Sequence, residues 1–151
     1  FVADGDKIRQ VLNNLLANAI EFTPPGGRIS MEAEFRHERR WEPTEAFIHL
    51  RVRDTGSGIK AEDLPKVFDR FKQCGDALMR RPAGLGLGLF ICREIVNAHH
   101  GNIWAVSVHG EGSTFHVALP LEPPGVGPCE IRFPDKPFSD VERASDLLPA
   151  A

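Results

Sequence analysis

The chain has 151 residues, 42% hydrophobic and 26% charged, which suits one soluble domain with an appendage. Eighteen Lys and Arg against 21 Asp and Glu leave a net charge of −3, no basic footprint for nucleic acid or an anionic membrane surface. No run approaches the roughly 18 apolar residues of a membrane span, and three scattered cysteines, Cys74, Cys92 and Cys129, make neither a disulfide framework nor a zinc knuckle. A reducing, cytoplasmic compartment fits, and a chain opening on Phe1 without a signal-like segment reads as a piece of a longer one.

In chain order, Ile8, Val11, Leu12, Leu15, Leu16, Ala19 and Ile20 recur at three and four and predict a helix with one buried stripe. Asp4 or Asp6 can cap its start, and Thr23-Pro24-Pro25-Gly26-Gly27 ends it. Strands are expected over residues 28–35 and 46–53, the second alternating Phe47, His49, Arg51 and Arg53 with Ile48, Leu50 and Val52. A second helix is expected over residues 87–99. A hairpin-like strand pair, 103–108 and 113–119, then turns at Gly110-Glu111-Gly112. Strand pairs with no helix between them predict an α+β two-layer sandwich, a mixed, mostly antiparallel sheet with helices on one face. From residue 120 onward seven of the 12 prolines gather, with six acids against three bases. The domain is therefore expected to span residues 1–121, followed over 122–151 by a Pro-rich linker or loosely docked tail. Residues 140–148 could form a short helix there, one marginal on its own.

Three groups of residues do not read as core. Asn14 and Asn18, four apart, stack on one side of the first helix, with Asn13 beside them. They form either a solvated face or a pair of amide oxygens for a hard cation and its phosphates. Asp54-Thr55-Gly56-Ser57-Gly58-Ile59 follows a strand, and its glycines permit a sharp turn and close ligand approach. Asp54 there can accept from an exocyclic amine or simply close an Asx turn. Gly84-Leu85-Gly86-Leu87-Gly88-Leu89 opens the second helix, where successive N–H groups and the helix N-terminus make a phosphate nest. It has neither the Walker nor the Rossmann spacing.

Together and in this order, the groups resemble the ATP-binding domain of sensor histidine kinases, the Bergerat-type fold shared with gyrase and the large heat-shock chaperones. Residues 10–23, Gln-Val-Leu-Asn-Asn-Leu-Leu-Ala-Asn-Ala-Ile-Glu-Phe-Thr, resemble that family's N box. Residues 54–59 resemble its first glycine box and residues 64–71, Leu-Pro-Lys-Val-Phe-Asp-Arg-Phe, its F box. Residues 84–89 resemble the second glycine box, and Gly110-Glu111-Gly112-Ser113-Thr114-Phe115 the last.

The resemblance implies that ATP and Mg²⁺ bind here, with Asn18 the metal ligand and Asn14 a catalytic residue beside it near the phosphates. It implies that Asp54 holds the adenine amino group, assisted through water by Thr114, while Gly56, Gly58 and Ile59 shape the pocket. Gly84, Leu85, Gly86 and Leu87 would cradle the phosphates. Residues 72–83 fall where the family has a mobile lid, anchored by Phe68 and Phe71, and Lys72, Arg80 and Arg81 would reach the phosphates or form a solvated charge cluster. The chain departs from the family at Glu21, where many relatives have Lys, and at Leu85, where Thr is more usual.

Hydrolytic relatives resemble this chain but place a Glu base where Asn14 stands. An amide has no comparable basicity, so the expected activity is phosphoryl transfer rather than hydrolysis, catalysed by positioning and charge neutralisation. The acceptor would be a histidine on a separate dimerising helical domain, with a response regulator downstream. His37 precedes a superficial acceptor-like run, yet that run lies between two strands. His49, His99, His100, His109 and His116 sit on strands or at a helix end, so the acceptor is expected outside this chain. Alternatives are a nucleotide-binding module without kinase output and a serine kinase of the anti-sigma type. An isolated monomer is expected, with no membrane contact of its own.

Overall fold

The computed structural model describes residues 3–38, 45–72 and 86–121. Helix α1, Gly5–Phe22, is capped by Asp4, whose carboxylate accepts from the amides of Asp6 and Lys7. It ends at Thr23, whose hydroxyl donates to the Ala19 carbonyl at 2.6 Å just before two prolines forbid another turn. Strands β1, Ile29–Glu38, and β2, Glu45–Asp54, follow; then come helix α2, Gly88–Ala98, and strands β3, Asn102–Val108, and β4, Gly112–Pro120. A 3₁₀ turn at Leu64–Lys66 lies between β2 and α2; at three residues it is too short to leave a periodicity signal in the sequence.

The strands form one sheet in the order β1-β2-β4-β3, with every neighbouring pair antiparallel. The expected α+β two-layer architecture is present. Its sheet is wholly antiparallel among the described residues, each of the three neighbouring pairs running in opposite directions. Val11, Leu15 and Ala19 of α1 and Cys92, Ile95 and Val96 of α2 close on Val52, Ile103, Phe115, Val117 and Leu119 of the sheet. Phe68 meets Phe115 edge-on at 6.3 Å, which anchors the segment after the 3₁₀ turn to the same core.

His99 joins the far ends of the two helices. Its Nδ1–H donates to the Ile95 carbonyl at 2.8 Å and its Nε2 accepts from the Asp4 amide at 3.1 Å. A carbonyl only accepts and an amide only donates, so the two contacts fit the tautomer that carries its hydrogen on Nδ1. The helices do not cover the whole sheet. On β1 the helix-side residues Met31 and Phe35 are 53% and 72% exposed.

The opposite face, which carries no helix among the described residues, is ordered by rings. Trp104 stacks on His116 at 4.9 Å, and His49 stacks on His116 at 5.3 Å. Trp104 on β3 lies directly opposite His116 on β4, while His49 on β2, opposite Ala118, reaches His116 diagonally. His49 Nε2 lies 3.1 Å from His116 Nδ1, and His49 Nδ1 lies 3.3 Å from Glu34 Oε1. Burial depresses the His49 pKa; the Glu34 hydrogen bond opposes this, and the Arg36 and Arg51 charges reinforce it. Burial pushes the Glu34 carboxyl up, but the Arg36 hydrogen bond and the Arg36 and Arg51 charges outweigh it and leave the pKa lowered.

Candidate functional site

Three segments far apart in sequence converge on the side of the sheet that carries the helices. The first is the middle of α1. Because Val11, Leu15 and Ala19 face the core, the helical repeat brings Asn14 and Asn18 to the edge of the buried stripe, both half-buried. Asn13 and Glu21 are exposed. Asn14 Nδ2 donates to the Gly88 carbonyl at 3.4 Å, so the first asparagine already touches the start of α2. That bond uses the amide's donor end and leaves the opposite end to the oxygen. Cys92 lies one turn inside α2 from this contact, its thiol pushed up to about 11 by burial, with the Asn14 hydrogen bond acting against the rise.

The second segment is the turn that ends β2. Asp54 is buried, at 5% exposure, yet its Oδ1 accepts from the Gly56 amide at 2.8 Å and from the Ser113 amide at 3.3 Å. Two backbone donors hold one carboxylate oxygen, and Oδ2 takes neither of them. Gly56 is required by proximity: a Cβ there would run into the Phe22 carbonyl and sit 2.9 Å from Asp54 Oδ1. Gly58, at φ +64°, is required twice over, by its left-handed conformation and by the Val108 carbonyl where its Cβ would stand. The Ile59 amide donates to Ser107 Oγ at 2.8 Å, tying this turn to the β3–β4 hairpin. Ile59 itself packs against the core.

Ser113, and not Thr114, accompanies the aspartate. The antiparallel register sets Asp54 opposite Ser113 and Thr114 opposite Arg53, and neighbouring side chains of a strand point to opposite faces. The structure therefore does not bring Thr114 to Asp54. Ser113 is buried, with its hydroxyl 3.1 Å from that of Ser107. Strand parity could have revealed this: counting back from core-facing Phe115 puts Ser113 on the inner face.

The third segment is the start of α2. Leu87 occupies the N-cap position and supplies no side-chain cap, and the first described helical bond runs from the Ile91 amide to the Leu87 carbonyl. The amides of Gly88, Leu89 and Phe90 precede it, as the first donors of a helix do. Gly86, at φ +66°, precedes them in the left-handed region. Its carbonyl accepts from the Phe71 amide at 3.1 Å. Gly84, Leu85, Arg80 and Arg81 lie outside the described residues. Phe71 is exposed and also left-handed, at φ +59°. Lys72 Nζ pairs with Asp63 Oδ1 at 2.8 Å, and this hydrogen bond holds the Asp63 carboxyl below its usual range. The lysine expected at the phosphates thus stands on the loop beyond β2 in this state.

Amide groups, the first backbone donors of α2 and one backbone-held carboxylate form a set suited to a nucleotide: an acceptor for an amine at one end, donors for phosphates at the other. No group of three His, Cys, Asp or Glu side chains among the described residues could hold a metal ion. A hard cation sharing phosphate oxygens needs few protein ligands, and the Asn14 and Asn18 amides are of the right kind. No helix among the described residues is long and apolar enough to cross a membrane.

Comparison with known proteins bears on the same residues. A family model described as histidine kinase-, DNA gyrase B- and HSP90-like ATPase matches residues 3–123. The sensor histidine kinase WalK of Bacillus subtilis is 42% identical over 119 residues, covering 79% of this chain and 18% of its own length. The adaptive-response sensory kinase SasA of Synechococcus elongatus is also 42% identical, over 79% of this chain and 28% of its own length. The chain thus spans well under a third of either relative. Among solved structures, the catalytic domain of histidine kinase ThkA superposes with a TM-score of 0.59 at 33% identity, over 80% of this chain and 71% of that one. A mycobacterial sensor histidine kinase, MprB, gives 0.62 at 29% identity, over 79% and 75%.

Proposed function

Since the chain belongs to the histidine kinase-, DNA gyrase B- and HSP90-like ATPase family and corresponds to the ATP-binding catalytic domain of sensor histidine kinases, we propose that it binds Mg·ATP between α1, the Asp54 turn and the start of α2. From there it delivers the γ-phosphoryl group to a histidine on a separate dimerising helical domain. A response regulator would then receive the phosphoryl group, and the work would be done in the cytoplasm, where ATP is supplied.

The observation that carries this reading is the character of the position beside the phosphates. Asn14 is an amide tied to α2 through the Gly88 carbonyl, so it cannot serve as a general base for water. Transfer then depends on holding the nucleotide in line with a nucleophile brought from outside, and on neutralising its charge. Asn18, with Asn14 beside it, would hold Mg²⁺; the ion, when bound, supplies charge neutralisation at the phosphate oxygens. Asp54 would accept the adenine amino group through the oxygen that its two amide partners leave to it. Gly56, Gly58 and Ile59 would shape that end of the pocket. Ser113, whose amide already bonds Asp54, would take the water-bridging part that the family resemblance implies for Thr114. Gly86, Leu87 and the α2 amides would receive the phosphates, with Gly84, Leu85, Phe71, Lys72 and Arg81 completing the site. The domain would end near residue 121, with 122–151 a linker or tail.

Glu21 favours a second reading. It is exposed on α1, three residues after Asn18, where many relatives carry a lysine. A module that binds ATP without passing it on would tolerate a carboxylate there. One experiment separates the readings: the chain, labelled Mg·ATP and a histidine-bearing dimerisation domain. Acid-labile, base-stable label on that domain supports the kinase. Tight ATP binding with no transfer supports the module, and acid-stable label on serine supports the serine-kinase alternative.

A further inference from the structure

Four contacts converge where residues 69–71 meet the first turns of α2, just outside the proposed phosphate end. The Arg70 guanidinium lies over the Phe90 ring, 4.4 Å from its centroid, and the Arg93 guanidinium lies 5.7 Å from the same centroid. Arg93 Nη1 also reaches Asp69 Oδ1 at 3.5 Å. On the backbone, the Phe71 amide donates to the Gly86 carbonyl at 3.1 Å. Gly86 is pressed so closely that a Cβ would lie 3.0 Å from the Lys72 carbonyl and from Phe71 C.

Phe71 adopts a positive φ, a conformation that a bulky residue takes only when its surroundings impose it. The left-handed turn there needs fastening on both sides. Inward, Val67 and Phe68 are buried in the core. Outward, the fastening is the Arg70–Phe90–Arg93 group with Asp69. Phe90 is half-buried and offers its ring as a face for cations rather than as core.

We propose that Arg70 and Phe90 are positioning residues: by locking residues 69–71 onto the first turn of α2, they hold Gly86, Leu87 and Gly88 with their donors turned toward the phosphates. This rests on the reading that the start of α2 receives the phosphates. The adenine end at Asp54 is fastened independently, by Gly56, Ser113 and Ser107. The brace therefore governs the phosphate contribution to affinity and leaves the nucleoside contribution alone.

Calorimetry with the non-hydrolysable analogue AMPPNP plus Mg²⁺, and separately with adenosine, reads the two contributions. Thermal unfolding of each variant establishes that it is folded. Arg70→Ala and Phe90→Leu are expected to weaken AMPPNP binding by about three- to tenfold with adenosine affinity unchanged. Phe90→Trp, which restores a ring face, and Arg70→Lys, which restores a cation, should recover most of the loss. The double variant Arg70→Ala/Phe90→Leu should be no worse than the weaker single one, because the two act as a pair. Equal losses for both ligands, or no loss for AMPPNP, would overturn the inference while leaving the proposed function standing. A wild-type chain that binds AMPPNP no more tightly than adenosine would overturn the phosphate assignment, and this inference with it.

Discussion

The two faces of this sheet carry polar clusters of opposite kinds. On the face opposite the helices Glu34, His49, His116, Arg36 and Arg51 stack and pair among themselves, and the pKa values of Glu34 and His49 are lowered. On the helix side the proposed site is built from two asparagines, backbone amides, and one carboxylate held by the Gly56 and Ser113 amides. The lesson concerns how a site is recognised. Shifted ionisation usually directs attention to catalytic groups, yet here the shifted histidine belongs to a stack of rings on the other face of the sheet. The proposed nucleotide site is marked instead by close backbone approach and by an N-terminus without a side-chain cap. A site that binds and orients a charged ligand, leaving the nucleophile to a partner, needs fixed donors more than it needs acids and bases.

The sharpest way to break this contrast is at a glycine of the cleft. Gly58→Ala combines a left-handed backbone with a collision against the Val108 carbonyl, so it should cost about 3 kcal/mol of stability in urea unfolding. Gly110→Ala is the control. It shares the positive φ, at +89°, but its Cβ would meet nothing within 4 Å, so only about 1 kcal/mol should be lost. Equal effects would mean that close approach at the cleft is unimportant.

Next in size, Asp54→Asn should weaken ATP binding by about 1.5–3 kcal/mol, the range for a hydrogen bond to a charged group. Unchanged affinity by calorimetry would put the adenine elsewhere.

On the other face the effect should fall on stability and pH and not on the nucleotide. The His49 pKa is depressed from 6.5, so the unfolded ring binds the proton more readily. The resulting penalty is absent above about pH 6.5 and grows as pH falls toward the folded-state value. Glu34, depressed from 4.5, contributes stability above that value that is lost below it. Both therefore make the fold less stable on acidification, the histidine first. His49→Phe should flatten the decline just below pH 6.5 while ATP affinity at pH 7.5 stays constant. A variant that alters ATP binding would join the two faces into one functional unit.

The smallest effect is expected at Asp63, whose half-exposed ion pair with Lys72 is screened by solvent and salt. Asp63→Asn removes this carboxylate from Lys72 and should raise ATP affinity by about twofold or less at low salt. A loss of affinity would mean that the ion pair itself serves the site.

Much of this was written locally. The 3.6-residue recurrence from Ile8 to Ile20, the cap at Asp4 and the Thr23-Pro24-Pro25 stop delimit α1 through interactions within a few residues, so sequence alone located it. The glycine-containing turns at 56–58 and 110–112 were legible for the same reason, and so was the pairing of Asn14 with Asn18 one helical turn on. Tertiary structure decided what depends on register and docking. Ser113 and not Thr114 stands beside Asp54 because antiparallel pairing and strand parity fix the face. His49, His116 and Trp104 stack because three strands align. Lys72 meets Asp63 because the loop beyond β2 folds back toward residue 72. Short-range torsions and spacings are properties of a segment; a partner across the sheet is a property of the whole chain, settled only when the core closes.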